Sequence, residues 1–334
     1  MTAVEGRSTI YDVARLAKVS VATVSHVLNR PDKVHPSTRA RVLDVIDDLD
    51  FVPKESAVSR ARRGVGRIGV LAPFSRYPSY LERLTGILDD RTGRTDVVVF
   101  DHGMEDGDER PLLASLPSSG RLDGLIIMGV PLDATLGARL TRRRIATVLV
   151  DGQYEGFSSV SVRDDLGGLL AGRHLVERGH RRIVFLAEMN HAADPMAPDQ
   201  RRWFGAESAF RTLGLPAGSI RRLKCGHDFE SCRSALDEIL ALEPPATAVF
   251  AHHDELAAAI VTEARGRGLR VPQDLAVVGY DGGVLAEAMQ LTTVEQPLRE
   301  TGAIARRLLM AALGGAPDPQ VISLDPRLIE GSTT

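Results

Sequence analysis

Apolar and polar positions change rhythm along this chain. Over the first fifty residues the spacing is helical. Ile10, Val13, Ala14 and Ala17 recur at i, i+3, i+4 and i+7. Val24, Val27 and Leu28 form a second stripe, and Val42, Val45, Ile46 and Leu49 a third behind the cap-like Ser37-Thr38. Only Lys18, Val19 and Ser20 separate the first two stripes, and Ser20 is suited to N-cap the second helix. Two short amphipathic helices joined by so tight a turn predict a helix-turn-helix, with the third helix closing a small core. From Arg67 the pattern becomes short, continuous apolar runs alternating with helical stretches. The runs are 68–72, 97–100, 124–128, 146–150, 183–187, 247–251 and 275–280, with a shorter one at 160–162. Such runs read as parallel strands buried on both faces. The rhythm occurs twice, over about 67–160 and about 161–290. The predicted fold class is therefore α/β: a three-helix headpiece, then two doubly wound parallel-sheet lobes with a ligand cleft beyond their strand ends.

The outward positions of the second helix are Val21, Ala22, Ser25 and His26, all small or polar and none acidic. The first residues of such a helix meet base edges in the major groove. Small apolar groups touch thymine methyls there, and His26 can donate to a purine acceptor. Thr23 and Ser25 carry hydroxyls suited to phosphate oxygens. The same pattern also describes a three-helix packing module with no nucleic-acid role.

Longer motifs separate the two. Thr9–Ala14 (TIYDVA), Val19–Asn29 (VSVATVSHVLN), Thr38-Arg39 and Phe51–Pro53 resemble the headpiece of the lactose/galactose-repressor family of bacterial transcription regulators. The likeness continues through RLDGLIIMG, VLVDG, HLVERGHRRIVFL, TAVFAHHDELAAAI, GLRVPQDLAVVGYDG and LTTVEQPLRETG in order, covering Thr9 to about Glu330. It implies that Thr9, Tyr11, Ser20 and Asn29 join Val21, Ala22, Thr23, Ser25 and His26 at DNA. It implies a hinge helix over 54–66, which in that family presses a leucine into the minor groove. No leucine occurs here, and Arg60 or Arg62 takes the position. Arginine can enter a narrow A·T-rich minor groove without wedging bases apart. The implied core resembles periplasmic sugar-binding proteins. Its first lobe would be about 67–160 plus 292–325, its second about 161–291 plus 326–334. No tetramer-forming tail is expected, because the closing segment RLIEGST carries no heptad helix.

Effector contacts are expected from Asp164, Arg202, Asp254 and Asp281, which stand near the C-terminal ends of strand-like runs. Charged hydrogen bonds from such groups can orient several hydroxyls of a sugar. For Asp254 and Asp281 the alternative role is helix N-capping, favoured at Asp254. Phe74 and Phe229 are the preferred aromatic walls, with His227 an alternative to Phe229 and Trp203 equally suited to the core.

Charge modifies this picture modestly. The chain carries net charge −3, but residues 1–66 hold eleven basic against eight acidic residues. A basic headpiece on an acidic body suits a polyanion gripped at one end. No cofactor or metal is expected. Adjacent His252 and His253 would point to opposite sides of a strand end, and no further ligand has metal-site spacing. Cys225 and Cys232, seven apart, match no metal or redox spacing and read as reduced thiols. Phosphate-loop, dinucleotide and serine-hydrolase motifs are missing, and neither a signal peptide nor a membrane span is expected, since MTAVEGRS has no apolar core and no run is long enough to span. The expectation is a cytoplasmic homodimeric repressor with a pseudo-palindromic operator and a sugar-like effector. Its rival is a cytosolic small-molecule-binding module or enzyme whose headpiece makes protein contacts.

Overall fold

The computed structural model describes residues 8–51, 66–89, 95–102, 111–119, 122–188, 197–216, 218–226, 228–315 and 318–334. The proposed hinge up to residue 65, with Arg60 and Arg62, lies outside them, as does His227.

The headpiece comprises α1 (Ile10–Leu16), α2 (Val21–Asn29) and α3 (Pro36–Asp48), with a 3-10 turn at Pro31–Lys33 before α3. A capping box starts α1: the Thr9 amide donates to the Asp12 carboxylate at 3.0 Å while the Thr9 hydroxyl accepts from the Asp12 amide. Lys18 turns the chain at φ +53, and Ser20 caps α2 by accepting from the Thr23 amide at 3.1 Å. The three predicted stripes meet. Val13, Ala17, Val24, Val27, Val42 and Ile46 are fully buried, and Leu43 and Phe51 complete the cluster.

The headpiece is also bound to the lobe that follows it. That lobe's helices include α4 (Pro78–Leu88), α5 (Pro111–Ser119) and α6 (Ala134–Arg142). Arg139 of α6 donates to Asp47 at 2.6 Å and to Asp44 at 3.0 Å. Arg143, just past α6, donates to Asp47 at 2.9 Å and to the carbonyls of Ile46 and Phe51, each at 2.9 Å. The side chains of Asp47 and Arg143 are 4% and 7% exposed. Buried charges persist when their hydrogen bonds are met, and here a guanidinium also covers carbonyls at a helix C-terminus.

Two six-stranded sheets follow, each with neighbouring strands out of chain order. The first runs β2 (Thr95–Asp101), β1 (Gly66–Ala72), β3 (Gly124–Met128), β4 (Ala146–Val150), β5 (Ser158–Val162), β11 (Val321–Leu324). The second runs β7 (Ile220–Cys225), β6 (Ile183–Glu188), β8 (Ala248–Ala251), β9 (Ala276–Asp281), β10 (Thr292–Glu295), β12 (Arg327–Ile329). β1 to β4 pair in parallel in the first, and β6 to β10 in the second. In each, strand order reverses around one strand, β1 or β6, and ligands of doubly wound sheets bind outside the strand ends at such a point.

The chain forms two compact units, Met1–Val160 with Arg299–Ile322, and Ser161–Leu298 with Ser323–Thr334. This differs from the expected assignment of 292–325 to the first lobe. Thr292, Thr293 and Val294 are buried, and β10 pairs with β9 from Thr292↔Val278 to Glu295↔Asp281. The chain therefore leaves the second unit at Leu298, inside the bounds of α12 (Leu298–Leu313), and returns at Ser323.

In the second unit, α7 (Asp164–Glu177), α8 (Pro198–Thr212), α9 (Phe229–Leu240), α10 (Asp254–Gly266) and α11 (Val284–Met289) flank the sheet. Leu186, Val249 and Val277 pack with Leu236, Ile239 and Ile260. Phe185, Phe250, Val278 and Tyr280 pack with Leu175 and Phe210 on the alternate positions. α7 and α8 touch backbone to backbone, because a Cβ at Gly168 would lie 2.0 Å from the Arg202 carbonyl oxygen and one at Gly205 2.0 Å from that of Asp165. Gly168→Ala should therefore lower stability by about 1–3 kcal/mol, the usual cost of overpacking. A chemical-denaturation midpoint equal to the parent's would refute the close approach.

Candidate functional site

On α2 the surface opposite the core is open. Ala22, His26, Asn29 and the adjoining Arg30 are exposed, with Thr23 and Ser25 half-buried beside them. Tyr11 on α1 is 72% exposed. Val21 is half-buried and packs on the headpiece core, so Ala22 and His26 are the more prominent. Several expected contact groups are already oriented within the headpiece. The Ser20 and Thr23 hydroxyls lie 2.8 Å apart, and the Asn29 amide donates to the Ser25 carbonyl at 2.9 Å and its hydroxyl at 3.2 Å. The Ser25 hydroxyl accepts in that bond and keeps its own proton to donate to a phosphate oxygen.

The second cluster stands at the carboxyl ends of β6, β8 and β9. The close approach of α7 and α8 puts Arg202 against Asp164, with Nε donating to the carboxylate at 2.8 Å. Its Nη1 donates to the His252 carbonyl at 2.6 Å, and its guanidinium carbon sits 3.7 Å from the centroid of the Tyr280 ring. Burial pulls the Arg202 pKa down, but Asp164, Tyr280 and Asp281 more than reverse this, so it is raised. The charge is permanent.

Asp281 ends β9 with φ +117, a backbone region that non-glycine residues seldom adopt. Its carboxylate accepts from the Gln296 amide at 2.5 Å. Burial, with a smaller contribution from Glu255, pushes its pKa up to about 6 against the opposing influence of Arg202, His253 and Gln296. Asp254 accepts from the Gly282 amide at 2.7 Å, the Gly283 amide at 3.3 Å and the Thr293 hydroxyl at 2.7 Å. Burial and Asp281 push it up to about 7, although these three donors oppose the rise. A permanently charged guanidinium thus shares one strand-end cluster with two carboxyls that protonate unusually easily.

The sequence profile described as bacterial regulatory proteins, lacI family, matches residues 9–54, and the periplasmic binding protein-like domain profile matches 173–334. The HTH-type transcriptional repressor PurR of Erwinia tasmaniensis is 32% identical, with 97% of this chain and 96% of that protein covered. Catabolite control protein A of Priestia megaterium is 30% identical, with 90% and 91% covered. This chain belongs to the LacI family. Its fold agrees with solved relatives. The transcriptional regulator CelR in complex with cellobiose matches at TM-score 0.70 and 27% identity, covering 98% of this chain and 100% of that one. A LacI family regulator of Enterococcus faecium with bound ribose matches at TM-score 0.71 and 26% identity, covering 80% and 98%. As a LacI family member the protein is a DNA-binding transcriptional repressor and not an enzyme.

Within this LacI family architecture two capping alternatives are corrected. Asp254 is not the N-cap of α10. His253 is, its Nδ1 accepting from the Leu256 amide at 3.2 Å, while Asp254 holds the turn before α11 and reaches Thr293 of β10. Asp281 is not the N-cap of α11, a position held by Gly283. Asp164 and Arg202 are committed to one another, with side chains 4% and 7% exposed. Phe229, first residue of α9, is 71% exposed, and Phe74 is half-buried after β1 in the other unit. Trp203 packs edge-on against Phe185, 5.7 Å between centroids, and takes the core role. Among the described residues, no group of three or more His, Cys, Asp or Glu side chains could hold a metal ion.

Several working residues escaped the sequence reading. His252 supplies the carbonyl that orients Arg202, Thr293 supports Asp254, and Gln296 holds Asp281. Each is distant in sequence from its partner.

Raised carboxyl pKa values mean that the folded protein binds protons more tightly than the unfolded chain. The stability due to Asp254 and Asp281 is full below their ordinary pKa, near 4, and is lost as pH rises through about 6 to 7. Replacing Asp281 by Asn should flatten the fall in denaturation midpoint across that window. A slope identical to the parent's would contradict the assigned environment.

Proposed function

We propose that this protein acts as a homodimer on a two-fold symmetric operator, placing one α2 in each of two major grooves about one helical turn apart. The observation that carries this reading is the exposed, unacidic face of Ala22, His26 and Asn29, set on a helix whose other side is fully buried. Ala22 meets a thymine methyl and His26 a purine acceptor. Thr9, Ser20, Thr23 and Ser25 engage phosphates, with Tyr11 alongside. Arg60 or Arg62 enters the minor groove at the operator centre. On α4, Leu81 and Leu88 are 50% and 52% exposed at i and i+7, an apolar stripe that supports a subunit contact. No described helix is long and apolar enough to cross a membrane, which fits a cytoplasmic regulator.

The effector is a sugar or sugar derivative bound at the strand-end cluster of the second unit. Asp281 and Arg202 are its principal polar anchors, Asp164 and Asp254 shape them, and Phe229 offers an apolar face. Support comes from the hydroxyl-binding chemistry of a fixed guanidinium beside carboxyls, and from the cellobiose and ribose held by the related CelR and Enterococcus faecium proteins. Effector binding shifts operator affinity by roughly 5- to 150-fold, the range of ordinary allosteric coupling.

Selection from random DNA at physiological salt should yield a palindromic motif. Ala22→Asp should abolish that enrichment while leaving the circular-dichroism spectrum unchanged, because a carboxylate then faces phosphates and base edges. Persistent enrichment would remove α2 from the groove. Using the selected operator in a gel shift, Asp281→Ala should retain binding but lose the response to an active sugar. A full response would take Asp281 out of the effector site.

A further inference from the structure

The two cysteines, expected to be reduced thiols, meet in the fold. Cys225 ends β7 and Cys232 lies in the first turns of α9, and only Gly226–Asp228 connect the two elements. Both are free and buried, at 1% and 2% exposure, and their sulfurs are 3.6 Å apart. Cys225 Sγ also lies 3.2 Å from the Gly226 carbonyl. We propose that Cys225 and Cys232 form a reversible dithiol–disulfide site, oxidised by a small hydroperoxide.

The geometry assigns distinct roles. Cys232 stands in the first turns of α9, near the positive end of the helix dipole, which favours a thiolate. The Cys225 thiol hydrogen-bonds to it and lowers its pKa further, an effect that His253 assists, while burial and Asp228 oppose it. Cys225 is the reverse case: that hydrogen bond and burial hold it as the neutral thiol. The Cys232 thiolate attacks the peroxide oxygen, the O–O bond breaks, and alkoxide or hydroxide leaves and takes up a proton. The resulting sulfenic acid is then attacked by Cys225, which gives up its proton as water departs and the S–S bond forms. Two electrons pass from the thiols to the peroxide. The sulfurs must close from 3.6 Å to about 2.05 Å, the length of a disulfide bond. This draws the start of α9 toward β7 and moves Phe229. An effect on sugar response therefore rests on the effector reading above, whereas the redox chemistry does not.

The test uses the full-length protein and hydrogen peroxide under native conditions, followed by acid quenching and non-reducing mass spectrometry. The expected product is a monomeric chain lighter by two hydrogens, with a 225–232 cross-linked peptide, an unchanged circular-dichroism spectrum, and full reversal by dithiothreitol. Cys225→Ser should instead accumulate a dimedone-reactive sulfenic acid at Cys232, while Cys232→Ser should not react with dimedone at Cys225. Thiols that survive peroxide, oxidise only after unfolding, or pass to sulfinic acid without cross-linking would overturn the proposal. If the disulfide forms but the sugar response is unchanged, the site stands and its link to Phe229 falls.

Discussion

The second lobe depends on one buried ion pair. Arg202 cannot lose its charge, and an isolated guanidinium in a protein interior would carry a large desolvation penalty. The fold meets that penalty with Asp164 on α7, the His252 carbonyl after β8 and the Tyr280 ring on β9. These belong to separate stretches of chain, so satisfying one side chain fixes a helix and two strand ends together. Glycines make the arrangement possible. Only without side chains at 168 and 205 can α7 and α8 come close enough for the short Asp164 carboxylate to reach the arginine.

With Arg202 committed in this way, the remaining polar groups become the adaptable ones. Asp281 and Asp254 sit in the same low-dielectric surroundings but share only partial compensation, and their protonation is displaced toward neutrality. Strain at Asp281 points the same way, since an unfavourable backbone angle persists where surrounding contacts over-determine it. The headpiece solves a different problem. Its recognition helix needs a rigid back and an uncommitted front, and the stripe of Val24, Val27 and Leu28 leaves Ala22 and His26 free for that purpose.

Much of this was legible in the chain. Strands 124–128 and 146–150 match their apolar runs residue for residue, because a central strand buried on both faces leaves an unbroken signature. β7 did not, since an edge strand tolerates Arg221, Arg222 and Lys224. β10 was recognised as a segment but assigned to the wrong lobe, because pairing choice between two similar sheets is not encoded locally. The strand-end aspartates and arginine stood out as chemistry, yet their division into fixed and adaptable groups depends on contacts made by His252, Thr293 and Gln296. The same holds for the cysteines: a separation of seven residues says nothing until a strand ends and a helix begins between them.

The contact of Arg139 and Arg143 with Asp44 and Asp47 bears on how regulators of this kind can be recombined. A headpiece is usually treated as a cassette, exchangeable at the segment that joins it to the core. Here the cassette carries its own plug. A foreign headpiece lacking carboxylates at those two positions would leave a pair of guanidiniums on the lobe without these counter-ions. Chimaeras built from this protein must therefore transplant the acidic end of α3 together with the reading face of α2, so the unit of exchange is larger than the helix-turn-helix.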